Sequence, residues 1–293
     1  QRNSGRVSRT AIIGLGLIGG SLARALKVAE PDHHITGFDP DARQGRMGLE
    51  LGVIDAAADS AEGAVREADR VIVAVPVLHT AEALKSIRSA LQTGAVITDV
   101  GSTKQSVLRD VESCFGELPA NFVAAHPIAG TEKSGIAASK EGLFRDRRVV
   151  LTPHANQSAS ALAHIRAMWE SLGCRVVEMD AARHDAIFAA TSHLPHVLAY
   201  AFVDMLTRLD AADEIFPNAG GGFRDFTRIA SSSPEMWHDI IRANGSEVTR
   251  LLEKQIGELQ EMLDLMKQGQ WDSLKARFDR ARSAREKHLG QIE

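Results

Sequence analysis

From Thr10 to about Asp180, short apolar runs alternate with stretches of helical periodicity. The strand-like runs are Thr10–Ile13, Ile35–Asp39, Val71–Val75, Val96–Val100, Phe122–Ala125, Val149–Thr152 and Arg175–Glu178. Helical patterns separate most of them, as at Ile18–Ala29, Thr80–Leu91 and Ala159–Leu172. Continuous apolar strands alternating with helices predict a mainly parallel, doubly wound α/β sheet, because each such strand is covered on both faces. Past Asp180 the period changes. Ile187, Thr191, Leu194, Leu198, Phe202 and Met205 recur at helical spacing, as do Val248, Leu252, Ile256, Leu259 and Leu263. Ser246 stands where it could cap the second of these helices. Leu274, Phe278 and Ala281 continue the pattern in a charged last helix. The expected organisation is therefore a Rossmann domain over 1–180 and an all-α domain over 181–293. Long apolar stripes on so small a helical domain predict a second copy as partner, hence a homodimer.

Composition narrows the classes. The chain has 293 residues, 44% hydrophobic and 25% charged, with a net charge of −4. That balance gives no electrostatic reason to bind nucleic acid or an anionic membrane. Cys114 and Cys174 make neither a disulfide framework nor a zinc signature, which fits a reducing cytoplasm. The polar start, Gln1 to Ser8, lacks the apolar core of a signal peptide, and no run reads as long and apolar enough to span a bilayer.

Gly14-Leu-Gly16-Leu17-Ile18-Gly19 closes the first strand and opens the first helix. Glycines there permit a tight turn, close approach of a pyrophosphate and close helix–strand packing. The helix N-terminus offers its free N–H groups to phosphate. Asp39 ends the next strand, where a ribose-binding acid belongs, and its charge would repel a 2′-phosphate. NAD is thus expected over NADP, although Arg43 nearby could serve a phosphate. Ligands in such sheets collect beyond the carboxyl ends of the strands. Pro76, the segment Asp99-Val-Gly-Ser102-Thr-Lys104 and His126-Pro-Ile-Ala-Gly-Thr-Glu132 all leave strands at that edge. His126, biased to an extended conformation by Pro127, has an ordinary pKa of about 6.5, suited to accept a proton at neutral pH.

In the helical half, Pro195 within Ser192-His-Leu-Pro-His196 should kink its helix, since the Thr191 carbonyl loses its partner. His193 and His196 could resemble metal ligands, but no third ligand stands at a recognisable spacing, so no metal is expected. Arg224 or Arg228 could hold a carboxylate in bidentate fashion.

Together these segments resemble the prephenate/arogenate dehydrogenase family of tyrosine biosynthesis over nearly the whole chain. The resemblance implies oxidative decarboxylation of prephenate to 4-hydroxyphenylpyruvate, or of arogenate to tyrosine, with NAD(P) as oxidant. It also implies a dimer built on the helical domain and, through the likeness of tyrosine to the product, feedback inhibition by tyrosine. By the same resemblance His126 is the residue that hydrogen-bonds the ring C4 hydroxyl, and Ser102 orients it beside the nicotinamide. His196 and Arg228 match substrate-binding positions, Glu132 an acidic residue of the substrate pocket, and Trp237 a tryptophan near the site. Gly14, Gly16, Leu17, Ile18, Gly19, Asp39, Pro76 and Ser102 are the expected cofactor contacts. A plain β-hydroxyacid or imine-type oxidoreductase would share the two-domain plan without needing the His126–Glu132 run. A dinucleotide-binding sensor would not need His126, Ser102 and Arg228 together.

Overall fold

A computed structural model describes residues 8–292; the polar residues 1–7 weighed above as a leader lie outside it. The strands are β1 (Arg9–Ile13), β2 (His34–Phe38), β3 (Ala56–Ala57), β4 (Arg70–Val73), β5 (Val96–Asp99), β6 (Phe122–Val123), β7 (Ala125–Pro127), β8 (Arg148–Leu151) and β9 (Arg175–Glu178). The main helices before the change of period are α1 (Leu17–Ala29), α2 (Ala42–Glu50), α3 (Ala61–Val65), α4 (Thr80–Ile87), α5 (Gln105–Phe115) and α6 (Ala159–Ser171). After it come α7 (Ala181–Phe188), α8 (Leu194–Thr207), α9 (Ala212–Ile215), α10 (Gly221–Thr227), α11 (Pro234–Ala243), α12 (Gly245–Lys267) and α13 (Trp271–His288).

Six strands form one parallel sheet in the order β3-β2-β1-β4-β5-β6. The order reverses beside β1, which places a crevice at the carboxyl ends of β1 and β4. Buried apolar residues cover both faces, with Ile12, Leu22, Leu26 and Ile35 on one and Ile13, Val71, Leu84 and Val111 on the other. This is the α/β Rossmann architecture that the alternating pattern predicts, and helices follow it to the end of the described chain.

The apolar run Phe122–Ala125 is not one strand. Its first half, β6, ends the parallel sheet, and its second half joins a smaller sheet in the order β7-β8-β9. There β7 runs antiparallel to β8, with His126 opposite Val150. The break has a visible cause: the Ala125 N–H is captured by Asp99 Oδ1 at 3.1 Å, and the Ala124 carbonyl accepts from Thr152 N.

Two expectations for the helical half need correction. Ser246 does not cap a helix, because α12 already begins at Gly245 and only Asn244 separates it from α11. Also, among the described residues one run is long and apolar enough to cross a membrane by length and composition: the continuous helix Ala181–Thr207. The helical pattern from Ile187 to Met205 spans Pro195, and the helix extends it at both ends. The helix carries His184 and Asp185, both buried and hydrogen-bonded within the fold. It passes Pro195 through a π-helical turn, Ala189–His193, in which the Leu194 N–H reaches back to the Ala189 carbonyl. Such turns accommodate a disrupted hydrogen-bond ladder and occur often at functional sites.

By internal contacts the chain falls into two compact units, the first ending at Gly245 and the second beginning at Ser246. In the second, Arg277 links α13 to Glu258 and Glu261 of α12. Ile256, Leu259 and Leu263 on α12 and Phe278 on α13 remain exposed.

Candidate active site

The turn after β1 is built by glycine. Gly14 has φ +101°, and a Cβ there would lie 2.4 Å from the Ala74 carbonyl oxygen. A Cβ on Gly19 would lie 1.9 Å from the Gly14 carbonyl oxygen, so helix and turn can meet only without one. Gly16, by contrast, faces open space and caps α1 with no side-chain hydrogen bond. The first amides of α1, at Leu17, Ile18 and Gly19, are thus left for an anion, as a dinucleotide's pyrophosphate requires. Asp39 stands beside this turn, its Oδ2 accepting from Leu15 N at 2.8 Å and its Oδ1 from Asp41 N at 2.9 Å. Arg43 is spoken for: its Nε and Nη2 lie 2.9 and 3.0 Å from the two carboxylate oxygens of Asp41. Those hydrogen bonds lower the Asp41 pKa to about 2. Pro76 follows β4 on the surface, at the start of a short 3-10 turn. The donor set fits a dinucleotide.

His126 sits on β7, 8% exposed. Its Nδ1 is 2.8 Å from His184 Nε2, and His184 Nδ1 is 2.8 Å from Asp185 Oδ1. Phe188 covers the pair, its ring centroid 5.0 Å from that of His126. Asp185 also accepts the Lys104 N–H at 2.8 Å and the Gln105 N–H at 3.0 Å. Burial works against the Asp185 charge, but hydrogen bonds from His184 and the two amides outweigh it and hold its pKa below the ordinary carboxylate value. Lys104, fully buried, donates to Asp99 Oδ2 and to the Ala125 carbonyl, both at 2.6 Å, and so fixes the strand end next to His126. Burial lowers the Lys104 pKa while Asp99 opposes that shift.

The surroundings change one expectation. The His126 pKa lies well below 6.5, first because burial disfavours its charge, then through the charges of His184, Lys104 and His193. These surroundings favour the neutral form of His126, which can accept a proton. His184 and His196 are also lowered, chiefly by burial, and His193 is lowered to about 4 by burial and His184. An unfolded histidine titrates near 6.5, so on acidification the unfolded chain binds protons first. Stability from these groups is complete above about pH 6.5 and is lost as pH falls toward the folded values. His193 alone accounts for about 3 kcal/mol by pH 4. Urea melts from pH 7 to 4 should show this decline; a flat profile would mean that these histidines are charged in the fold.

A second group lies beyond the π turn. His196 stacks on Trp237, with ring centroids 3.4 Å apart and planes at 15°. His196 Nδ1 lies 2.8 Å from the Ser192 carbonyl, so it donates and leaves Nε2 free to accept. The charge of Arg228 opposes protonation of His196, which places the two within electrostatic reach. Neither Arg224 nor Arg228 forms a hydrogen bond or ion pair among the described residues. Trp237 is buried, and its Nε1 has no partner among them. His193 joins the groups, its ring centroid 6.0 Å from Trp237 and its Nδ1 3.1 Å from Asn244 Nδ2.

The fold thus assembles His126 with Lys104, His184 and His193, and His196 with Trp237 and Arg228. It does not join every expected residue. Ser102, half-buried two residues before Lys104, makes no hydrogen bond among the described residues. Glu132 is exposed in the loop after β7 and has no partner among them. His184, Asp185 and Asn244 were not singled out by the sequence reading. His184 and Asp185 lie among polar residues early in α7, and Asn244 lies at the junction of α11 and α12, so none carries a distinctive local signal.

Residues 22–178 match the family model described as prephenate dehydrogenase, nucleotide-binding domain. Residues 180–280 match that of the prephenate dehydrogenase dimerization domain. The chain is 38% identical over 280 residues to the cyclohexadienyl dehydrogenase of Zymomonas mobilis, covering 94% of each chain. It is 38% identical over 282 residues to the prephenate dehydrogenase of Bacillus subtilis, covering 94% of this chain and 74% of that one. Among solved structures it resembles the prephenate dehydrogenase of Aquifex aeolicus in complex with hydroxyphenyl propionate and NAD+. The TM-score is 0.89 at 33% identity, over 97% of this chain and 99% of that one. With both halves matched in order, the chain belongs to the prephenate dehydrogenase family.

Proposed function

We propose that this enzyme oxidatively decarboxylates prephenate, arogenate or both, with NAD as oxidant and His126 as the base. The observation that carries the reading is a buried His126 on β7, hydrogen-bonded to His184 and next to the Ala125 carbonyl that Lys104 holds. Family membership supplies the substrate class.

Gly14–Gly19, Asp39, Pro76 and Ser102 would hold the nicotinamide dinucleotide, which when bound would supply a hydride acceptor. His126 takes the proton of the ring C4 hydroxyl as the hydride leaves C4. The electron pair of the bond to the tertiary carboxylate then flows into the ring, which becomes aromatic as carbon dioxide departs. Nothing needs to protonate the leaving group, so the work of the protein is positioning and proton removal. Ser102 orients the hydroxyl. Arg228 holds a carboxylate, with His196, Trp237 and Glu132 lining the substrate. Residues 181–293 carry the substrate contacts and the homodimer interface, and tyrosine, which shares the product's phenol, competes for the same pocket.

Arg228→Ala is expected to raise KM by about ten- to a hundredfold with little change in kcat, the range for one hydrogen bond to a charged group. An equal fall in kcat with unchanged KM would move Arg228 into the transition state instead. Direct titration should show NAD binding more tightly than NADP, since Asp39 stands just past β2, where a ribose-binding acid belongs, and Asp41 engages Arg43. Tighter NADP binding would overturn the cofactor assignment. The reaction itself is tested by its stoichiometry. Carbon dioxide, 4-hydroxyphenylpyruvate and reduced cofactor should form in equal amounts from prephenate. Reduced cofactor without carbon dioxide would indicate a plain alcohol oxidation.

A further inference from the structure

Two buried groups behind His126 have no part in binding substrate or cofactor, yet they are hydrogen-bonded in line with it. We infer that Asp185 and His184 set the tautomer of His126 and draw off the positive charge it acquires. Asp185 keeps the His184 proton on Nδ1, His184 Nε2 keeps the His126 proton on Nδ1, and His126 Nε2 is left bare for the substrate hydroxyl. The inference rests on the reading of His126 as the base of a cyclohexadienol dehydrogenase.

The assignment follows from which atoms can donate. The backbone amides of Lys104 and Gln105 donate to the two oxygens of Asp185 at 2.8 and 3.0 Å. An ionised carboxylate only accepts, so His184 Nδ1, 2.8 Å from Oδ1, carries a proton. A neutral imidazole has one N–H, so His184 Nε2 is bare and must receive one. The atom 2.8 Å away is His126 Nδ1. His184 is fully buried, which leaves no room for water to substitute. The neighbouring histidine fits the same scheme. Asn244 Nδ2 donates to the Asp185 carbonyl at 2.9 Å and to His193 Nδ1 at 3.1 Å, which puts the His193 proton on Nε2.

The same line can carry charge. The hydroxyl proton passes to His126 Nε2, and the Nδ1 proton of His126 passes to His184 Nε2. His184 is then the imidazolium, its Nδ1–H still on Asp185. The line gains one proton, that of the hydroxyl, and can return it to the phenolate oxygen of the product. Lys104 opposes a charge on either ring and His193 opposes one on His126, while the hydrogen bond and charge of Asp185, with the charge of Asp99, favour one on His184. A carboxylate behind an imidazole orients it and stabilises its charged form in the same way in hydrolase triads. Here a second imidazole stands between them, so His184 and Asp185 are positioning residues that never touch substrate.

The test uses the full chain with 15N-labelled histidine, read by NMR without substrate, together with steady-state kinetics. Wild type should show His126 protonated on Nδ1 and bare on Nε2. Asp185→Asn should give mixed tautomers at both histidines and lower kcat on the order of a hundredfold, with KM within a few-fold. Because Asp185 also holds the start of α5 and its loss could impair folding, His184→Gln provides a second arm. The glutamine oxygen can accept the His126 Nδ1–H but cannot take up a proton. It should preserve the tautomer, retain more activity than His184→Leu, and move the acid limb of kcat/KM to lower pH. A residue that only packs would not move that limb. The inference is overturned if His126 carries its proton on Nε2 in wild type, or if Asp185→Asn and His184→Gln both keep wild-type kcat and pH profile. Should wild type oxidise no cyclohexadienol, the functional reading falls, and the NMR result still decides the tautomer.

Discussion

His126→Asn is expected to lower kcat by roughly 10²- to 10⁴-fold while substrate KM stays within a few-fold. Asparagine can still hydrogen-bond the C4 hydroxyl, so the ground-state complex survives. It cannot accept the hydroxyl proton, so the developing positive charge at C4 loses its compensation and only the transition state suffers. The variant should fold, because the rings of His184 and Phe188, which flank His126, also pack on each other, 4.6 Å apart. The acid limb of kcat/KM should vanish with the histidine. In wild type that limb should lie below pH 6.5, since burial holds His126 neutral, and activity should fall as pH drops through the lowered pKa. A variant with near wild-type kcat would remove His126 from the role of base.

Lys104→Met should lower stability by about 3–5 kcal/mol, the usual cost of leaving one member of a buried ion pair behind. Lys104 is fully buried and Asp99 is 2% exposed, so water cannot replace the lost ammonium. The Ala125 carbonyl loses a donor as well, and this strand end carries His126. Adding Asp99→Asn should recover part of the loss, because the broken pair then leaves no charge behind, although the amide nitrogen cannot accept from either Gly101 N or Ala125 N as a second carboxylate oxygen does. Denaturant melts of the two single variants and the double variant measure the coupling. A Lys104→Met loss under about 1 kcal/mol would mean that the pair is not the anchor of this corner.

Much of this was legible in the chain. The strand–glycine–helix unit and Asp39 are local signals, each fixed by residues within one βαβ unit. His126, Pro127 and the Ser102–Lys104 segment are legible for the same reason, as they lie where strands end. The division of Phe122–Ala125 was not legible. Four apolar residues read as one strand, and what divides them is an Asp99 carboxylate 26 residues away and an antiparallel partner beyond it. His184 and Asp185 were hidden more deeply. In sequence they are an ordinary polar pair early in a helix. Only the folded chain turns them toward a histidine 58 residues earlier. Pro195 announced a disturbed helix, and the disturbance takes the form of a π turn, Ala189–His193, just before it. Local backbone restrictions can be read from one position, whereas buried polar networks depend on partners that sequence spacing does not reveal.

The most direct test is the rate of reduced-cofactor formation, followed by absorbance, with prephenate and with arogenate, each paired with NAD and with NADP. The account predicts turnover of at least one cyclohexadiene, higher kcat/KM with NAD than with NADP, and near-complete loss in His126→Asn. No turnover of either substrate by protein shown to bind NAD would contradict it and leave the Rossmann fold without the proposed chemistry.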